Sequence, residues 1–161
     1  MFDLLRRAEQ RLALLGRIAA VAFLAIALLF TLGQVVDRYG PGIAFNAYDQ
    51  IAQLALVWLT FLGIALALRD RVNIRVDVID TRLGARLLRL RDAVSDLVAI
   101  ALLAIVQVKI WALVEIGSGQ VIMGTPFSMS ATFLALAAGS GLAIALLAIR
   151  LVLGLADGAS R

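Results

Sequence analysis

Four apolar stretches, each bounded by charged or turn-forming residues, divide this 161-residue chain. They run over residues 18–36, 51–68, 97–116 and 131–149. The second carries no charge from Ile51 to Leu68 and leaves through Arg69-Asp70-Arg71. As a helix it rises about 27 Å, close to the ~30 Å hydrocarbon core of a bilayer. The pattern predicts an all-α integral membrane protein with four transmembrane helices.

The second span has two unlike sides. Asp49, Gln53, Leu56, Thr60, Gly63 and Ala67 recur at helical spacing and form a polar or small stripe. Leu54, Trp58, Phe61, Leu62 and Leu66 are large. Between membrane helices, small and hydrogen-bonding residues mark close approach. Two readings stand: the stripe packs the chain's own bundle, or it meets another protein. In the fourth span Ala131, Ala135, Gly139 and Ala143 repeat every fourth residue, a groove for a close neighbour.

The connections differ in character. Residues 1–17 carry Arg6, Arg7, Arg11 and Arg17, with Leu4, Leu5, Ala8, Leu12 and Leu15 gathered on one side, the pattern of an interfacial amphipathic helix. The apolar core that follows is longer than that of a signal peptide and lacks a small-residue cleavage site, so it reads as an uncleaved span. Asp37 to Gly42 form a turn. Residues 69–96 combine a short alternating run, Ile74 to Val78, with a helix capped by Asp80 or Thr81. Leu83, Leu87, Leu90, Val94 and Leu97 line one face of that helix, which lies at the headgroups and continues into the third span. Its neighbours Arg89, Asp92 and Asp96 read as a solvated mixed-charge surface. Between the third and fourth spans, Gly117 to Ser130 holds turn signals, Thr125-Pro126, and Ser128 or Ser130 as a cap.

Composition supports this picture: 63% of residues are hydrophobic, against about 45–50% in soluble domains. The distribution of charge then orients it. Arginines fall on the N-terminus, residues 69–96 and the tail, while the first outer turn has only Arg38 and the segment 117–130 has none. The positive-inside bias places the N-terminus, the second loop and the C-terminus in the cytoplasm. The absence of cysteine and histidine removes disulfides, thiol chemistry, bis-histidine haem, the usual zinc sites and a Ser-His triad.

Few residues remain that carry chemistry. Lys109, toward the outer end of the third span near Gln107, Trp111 and Glu115, is the one cation inside a span, with Glu115 at that span's outer limit. It either pairs with Asp37, Asp49 or Glu115, or snorkels to the outer headgroups. Trp58 sits mid-span, where its indole N–H wants an acceptor: a partner contact or a ring in the bundle core or against lipid. Gln34, Gln53 and Thr60 are hydrogen-bonding glue. Asp77 and Asp80 lack a third acid for a metal and read as salt-bridge partners of Arg75 and Arg82. No cofactor, metal site or enzyme activity is expected. A coupled carrier needs ionisable groups or broken helices near the midplane. Their scarcity favours an accessory subunit over a stand-alone dimeric exporter or a membrane enzyme.

The run Leu56 to Gly63, with Ala65, Ala67, Arg69 and then Asn73-Ile74-Arg75-Val76-Asp77, resembles the small membrane subunit of TRAP transporters, the DctQ-like family. The Asp37-Arg38-Tyr39 exit and the Gly124-Thr125-Pro126 step are similar to that family too. Two positions depart from it: Asp49 stands where a glutamate usually enters the second span, and Asn73 where a histidine is common. The resemblance implies a bacterial inner-membrane subunit of a three-part uptake system. A periplasmic protein captures an organic acid, and a large sodium-driven elevator-type subunit, which binds the sodium, moves it. The small subunit packs on the large one's fixed scaffold. Asp49, Gln53, Trp58, Thr60, Phe61, Gly63, Asn73, Arg75, Asp77, Lys109 and Gly139 are the interface candidates. An accessory subunit of a tricarboxylate-type carrier is the nearest alternative.

Overall fold

A computed structural model describes residues 2–40, 45, 47–70 and 85–159. Four helices account for nearly all of them: α1 (Phe2–Tyr39), α2 (Tyr48–Asp70), α3 (Ala85–Ser118) and α4 (Ser130–Ala159). All four are long and apolar enough to cross a membrane. The extended run Ile74 to Val78, the Asp80/Thr81 cap, and Asn73, Arg75 and Asp77 lie outside the described residues.

The helices overrun the expected spans. α1 is unbroken over 38 residues, a rise of about 57 Å, nearly twice the hydrocarbon thickness. The N-terminal segment, expected as an interfacial helix leading into the first span, is the first part of this rod. No proline interrupts it, and its inward stripe starts early: Ala13, Gly16, Ala20 and Ala27 are all buried. A Cβ on Gly16 would already touch Leu142 at 3.0 Å, so the rod is committed to the bundle well before residue 18. α3 likewise runs from the polar segment into the span without a break, as its leucine line predicts.

α1 packs antiparallel on α2, α2 lies beside α4, and α3 packs chiefly on α4, with α1 also touching α4. Paired residues fix the directions. Phe23 stacks on Trp58 with ring centroids 5.2 Å apart, and Phe30 meets Tyr48 at 6.1 Å. Asp96 reaches Arg150 at one end of the α3–α4 pair. At the other end, a Cβ on Gly117 would lie 2.9 Å from the Ser130 nitrogen.

The core is thin and made of small residues. Ala52, Ala55, Leu62 and Ala65 are the buried positions of α2, and Ala135, Ala137, Ala143, Leu146 and Leu147 those of α4. In α3 the one large buried side chain is Ile110. Small residues bring helix axes together where no water drives association, so dispersion and close backbones carry the packing.

A short hairpin joins α3 to α4. Val121 bridges Ser128, Ile122 N–H donates to Phe127 O at 2.9 Å, and Met129 N–H donates to Gln120 O at 2.7 Å. Its tip turns at Gly124, whose φ of 79° only glycine adopts freely. Thr125 locks the turn: its hydroxyl donates to Ile122 O and accepts from Phe127 N–H. The hydroxyls of Ser128 and Ser130 bond to each other as α4 begins.

Candidate helix-docking interface

The groove on α4 is filled by the chain itself. Ala135, Gly139 and Ala143 are buried, and α2 lies in them. A Cβ on Gly139 would sit 2.7 Å from both the Cβ and the carbonyl oxygen of Phe61, so the two backbones touch there. Gly139 and Phe61, expected at a boundary with another chain, meet each other inside this one. Trp58, stacked on Phe23, is likewise a ring of the bundle interior.

The opposite holds for the polar stripe of α2. Asp49, Gln53, Leu56 and Thr60 are exposed, and a Cβ on Gly63 would meet open space. Of the stripe only Gly63 and Ala67 are half-covered. The chain's own bundle therefore takes the Ala52, Ala55, Leu62 and Ala65 side and leaves the stripe bare. Thr60 satisfies its hydroxyl on Leu56 O at 2.7 Å within its own helix. Gln53 has no hydrogen-bond partner among the described residues, and neither it nor Gln34, which is also exposed, glues helices as expected.

That gluing is done by residues the pattern did not single out. Ser140, buried beside Gly139, donates toward Gln107 Oε1 at 2.5 Å, with Leu136 O as its alternative acceptor at 2.7 Å. This is the cross-helix polar contact between α3 and α4 in the apolar region. A serine next to a small-residue groove was the available signal.

The arginine-rich end of the bundle is tied by ion pairs. Arg69 Nε donates to Glu9 at 2.9 Å, joining α2 to α1, with both side chains only 18% exposed. Arg17 pairs with Asp70 at 3.0 Å. Arg150 donates to the carbonyl of Arg69 at 3.0 Å and faces Asp96 at 3.7 Å. So α4 holds the carbonyl end of α2 with one nitrogen and α3 with another. Asp96, expected on a solvated mixed-charge surface, is part of this tie. A guanidinium at a helix C-terminus also complements the macrodipole.

Lys109 stands apart. It is exposed on α3 and has no polar partner among the described residues. None of Asp37, Asp49 and Glu115 pairs with it. Among the described residues no three acids, histidines or cysteines gather where they would hold a metal.

The arrangement is thus a small bundle knitted on its alanine faces and at one charged end, with a polar helix stripe left open. Against known protein families, residues 27–157 match the model described as "Tripartite ATP-independent periplasmic transporters, DctQ component". No curated protein matches the chain.

Proposed function

We propose that this chain, which belongs to the DctQ component family of tripartite ATP-independent periplasmic transporters, braces the fixed scaffold of a large membrane subunit by docking the Asp49–Gln53–Thr60–Gly63 stripe of α2 against it. The observation that carries this reading is the bareness of that stripe. A polar amide left against lipid costs about 2–7 kcal/mol, and an open glycine forfeits packing. A partner helix relieves both, and it finds small residues that admit close approach.

In this reading the arginine-rich end lies in the cytoplasm of a bacterial inner membrane, following the positive-inside bias. The large subunit moves an organic acid by an elevator motion, binds the driving sodium itself, and receives its substrate from a periplasmic binding protein. An elevator works only if its stator resists tilting while the carrier crosses. Four packed spans, one of them about 57 Å long, add buried length to that stator. The ion-paired end ties the four helices so that they move as one body. Within residues 18–36, 51–68, 97–116 and 131–149 the charged residues are Lys109 and Glu115, both in the second half of the third span, which supports a bracing role over that of a small exporter needing a mid-membrane carboxylate.

The test is uptake of organic acid by cells expressing the binding protein and large subunit with or without this chain. Loss of sodium-dependent uptake with the large subunit still in the membrane is expected. Undiminished uptake refutes the bracing role.

A further inference from the structure

We propose that α3 is a second docking surface, on which Lys109 forms an ion pair within the membrane with an aspartate or glutamate carried by a transmembrane helix of the large subunit. The inference rests on the proposed function for the identity of the partner, and on α3 itself for the chemistry.

Three observations converge. First, α3 packs on α4 and on no other helix to comparable extent. Gln107 and Ile110 face α4, whereas Lys109 projects to the other side. Val98, Leu102, Ile105, Ala112 and Ile116 share its face by helical spacing and are all exposed. The face is apolar with one cation in it.

Second, the depth is wrong for a surface charge. The Asp96–Arg150 contact marks the charged end of α3. Lys109 lies about 20 Å of helical rise beyond it, so its Cα falls roughly 10 Å short of the far edge of a ~30 Å core. Snorkelling to that edge runs against the helix. Side chains of an α-helix tilt toward its N-terminus, and the N-terminus of α3 is the arginine-rich end. The lysine stem is therefore biased back over the turn of Ile105 and Val106, toward the membrane interior and away from the nearer water.

Third, the described residues of this chain offer Lys109 no counter-charge. α1 and α2, which carry Asp37 and Asp49, have no substantial packing on α3 among the described residues, and Glu115 lies on a different side of the helix. An uncompensated ammonium at such depth is costly, and intramembrane charges pair with one another or face protein. Charge complementarity thus specifies the occupant: a helix with a carboxylate at matching depth. The bare faces of α2 and α3 stand on two helices with no substantial packing between them, which suits one large multi-span partner rather than a single added helix.

Lys109 is the only lysine in the chain, against fourteen arginines, which makes the test clean. The full chain is co-expressed with the large membrane subunit of its transporter and the complex is purified. Dicyclohexylcarbodiimide, which enters membranes and condenses an amine with an adjacent carboxylate, is applied, and peptides are mapped. The expected product is an isopeptide from Lys109 to an acid in a span of the large subunit. Lys109→Gln and Lys109→Glu should weaken the complex at least about tenfold in apparent Kd, while Lys109→Arg retains it. Each variant's melt in isolation shows that the loss is not misfolding.

The inference is overturned if the wild-type complex forms but Lys109→Gln is recovered equally well. It is equally overturned if Lys109 reacts with a membrane-impermeant amine reagent as fast in the complex as alone, or if the isopeptide joins two copies of this chain. Failure of the wild-type pair to assemble at all would sink the proposed function first, and is distinguishable because no variant is needed to see it.

Discussion

Gly139 and Gly63 form a matched pair of glycines on parallel helices, and alanine at each should act in opposite directions. At Gly139 the new methyl would stand 2.7 Å from the Cβ and carbonyl oxygen of Phe61 and 2.9 Å from its carbonyl carbon. Ordinary carbon contacts are about 3.5–4.0 Å, so α2 and α4 must part by roughly 1 Å. The obstruction is backbone, which no rotamer change relieves. Overpacking of this kind costs about 1–3 kcal/mol, offset in part by the ~1 kcal/mol that alanine gains over glycine in a helix. At Gly63 nothing lies within 4 Å of the added carbon, so the helix gain stands alone. The two variants should therefore differ by about 1–3 kcal/mol, Gly139→Ala being the less stable. The assay is reversible SDS-titrated unfolding of the purified chain in mild detergent, followed by helical circular dichroism. Coincident unfolding curves for the two variants would show that the α2–α4 contact does not hold the bundle, and the assignment of the two faces of α2 would fall with it.

Further outcomes follow from the same geometry. Gly63→Leu should leave the melt of the isolated chain within about 1 kcal/mol of wild type yet reduce co-purification of the large subunit, since it fills only the open stripe. Arg150→Met removes both the Arg69 carbonyl bond and the Asp96 contact and should cost about 1–3 kcal/mol. Arg17→Gln, at a pair whose side chains are 57% and 37% exposed, should cost under about 1 kcal/mol; equal losses for these two in the same unfolding assay would refute the buried clasp. Ser140→Ala should destabilise the α3–α4 contact by about 0.6–2 kcal/mol, seen as earlier proteolysis of the α3 region while α1 and α2 persist.

The four spans were legible because each is an uninterrupted apolar run of bilayer length, and that signal needs no knowledge of neighbours. The groove on α4 was legible for the same local reason, as small residues at i+4. What occupies it was not: a groove has no address, and only the fold shows that Phe61 of the same chain lies there. Of the two readings open for Trp58, its stack on Phe23 favours the ring in the bundle, and Phe61, an interface candidate, meets Gly139 of the same chain. The buried face of α2 is instead Ala52, Ala55 and Ala65 around Leu62, small residues scattered among large ones that a two-sided reading passes over. The clasp at the charged end was hidden by distance, since Glu9 and Arg69 are sixty residues apart, and by the expectation that residues 1–17 lie at the membrane interface.

These faces also show why polarity must be read in reverse in a membrane. In water, an exposed glutamine or lysine is the default and says nothing. In a hydrocarbon solvent the same exposure is an unmet demand, because neither amide nor ammonium finds a partner in lipid. This chain meets several such demands itself: Ser140 and Gln107 bond each other, Thr60 bonds its own helix, and Arg150 holds a carbonyl and faces an acid. Gln53 and Lys109, like Gln34 on α1, are left exposed, and the first two stand on helices with no substantial packing between them. The bundle gains no packing by turning these two outward, and a leucine at either position would cost less against lipid. Their exposure in the isolated chain is what a surface built for a second protein requires.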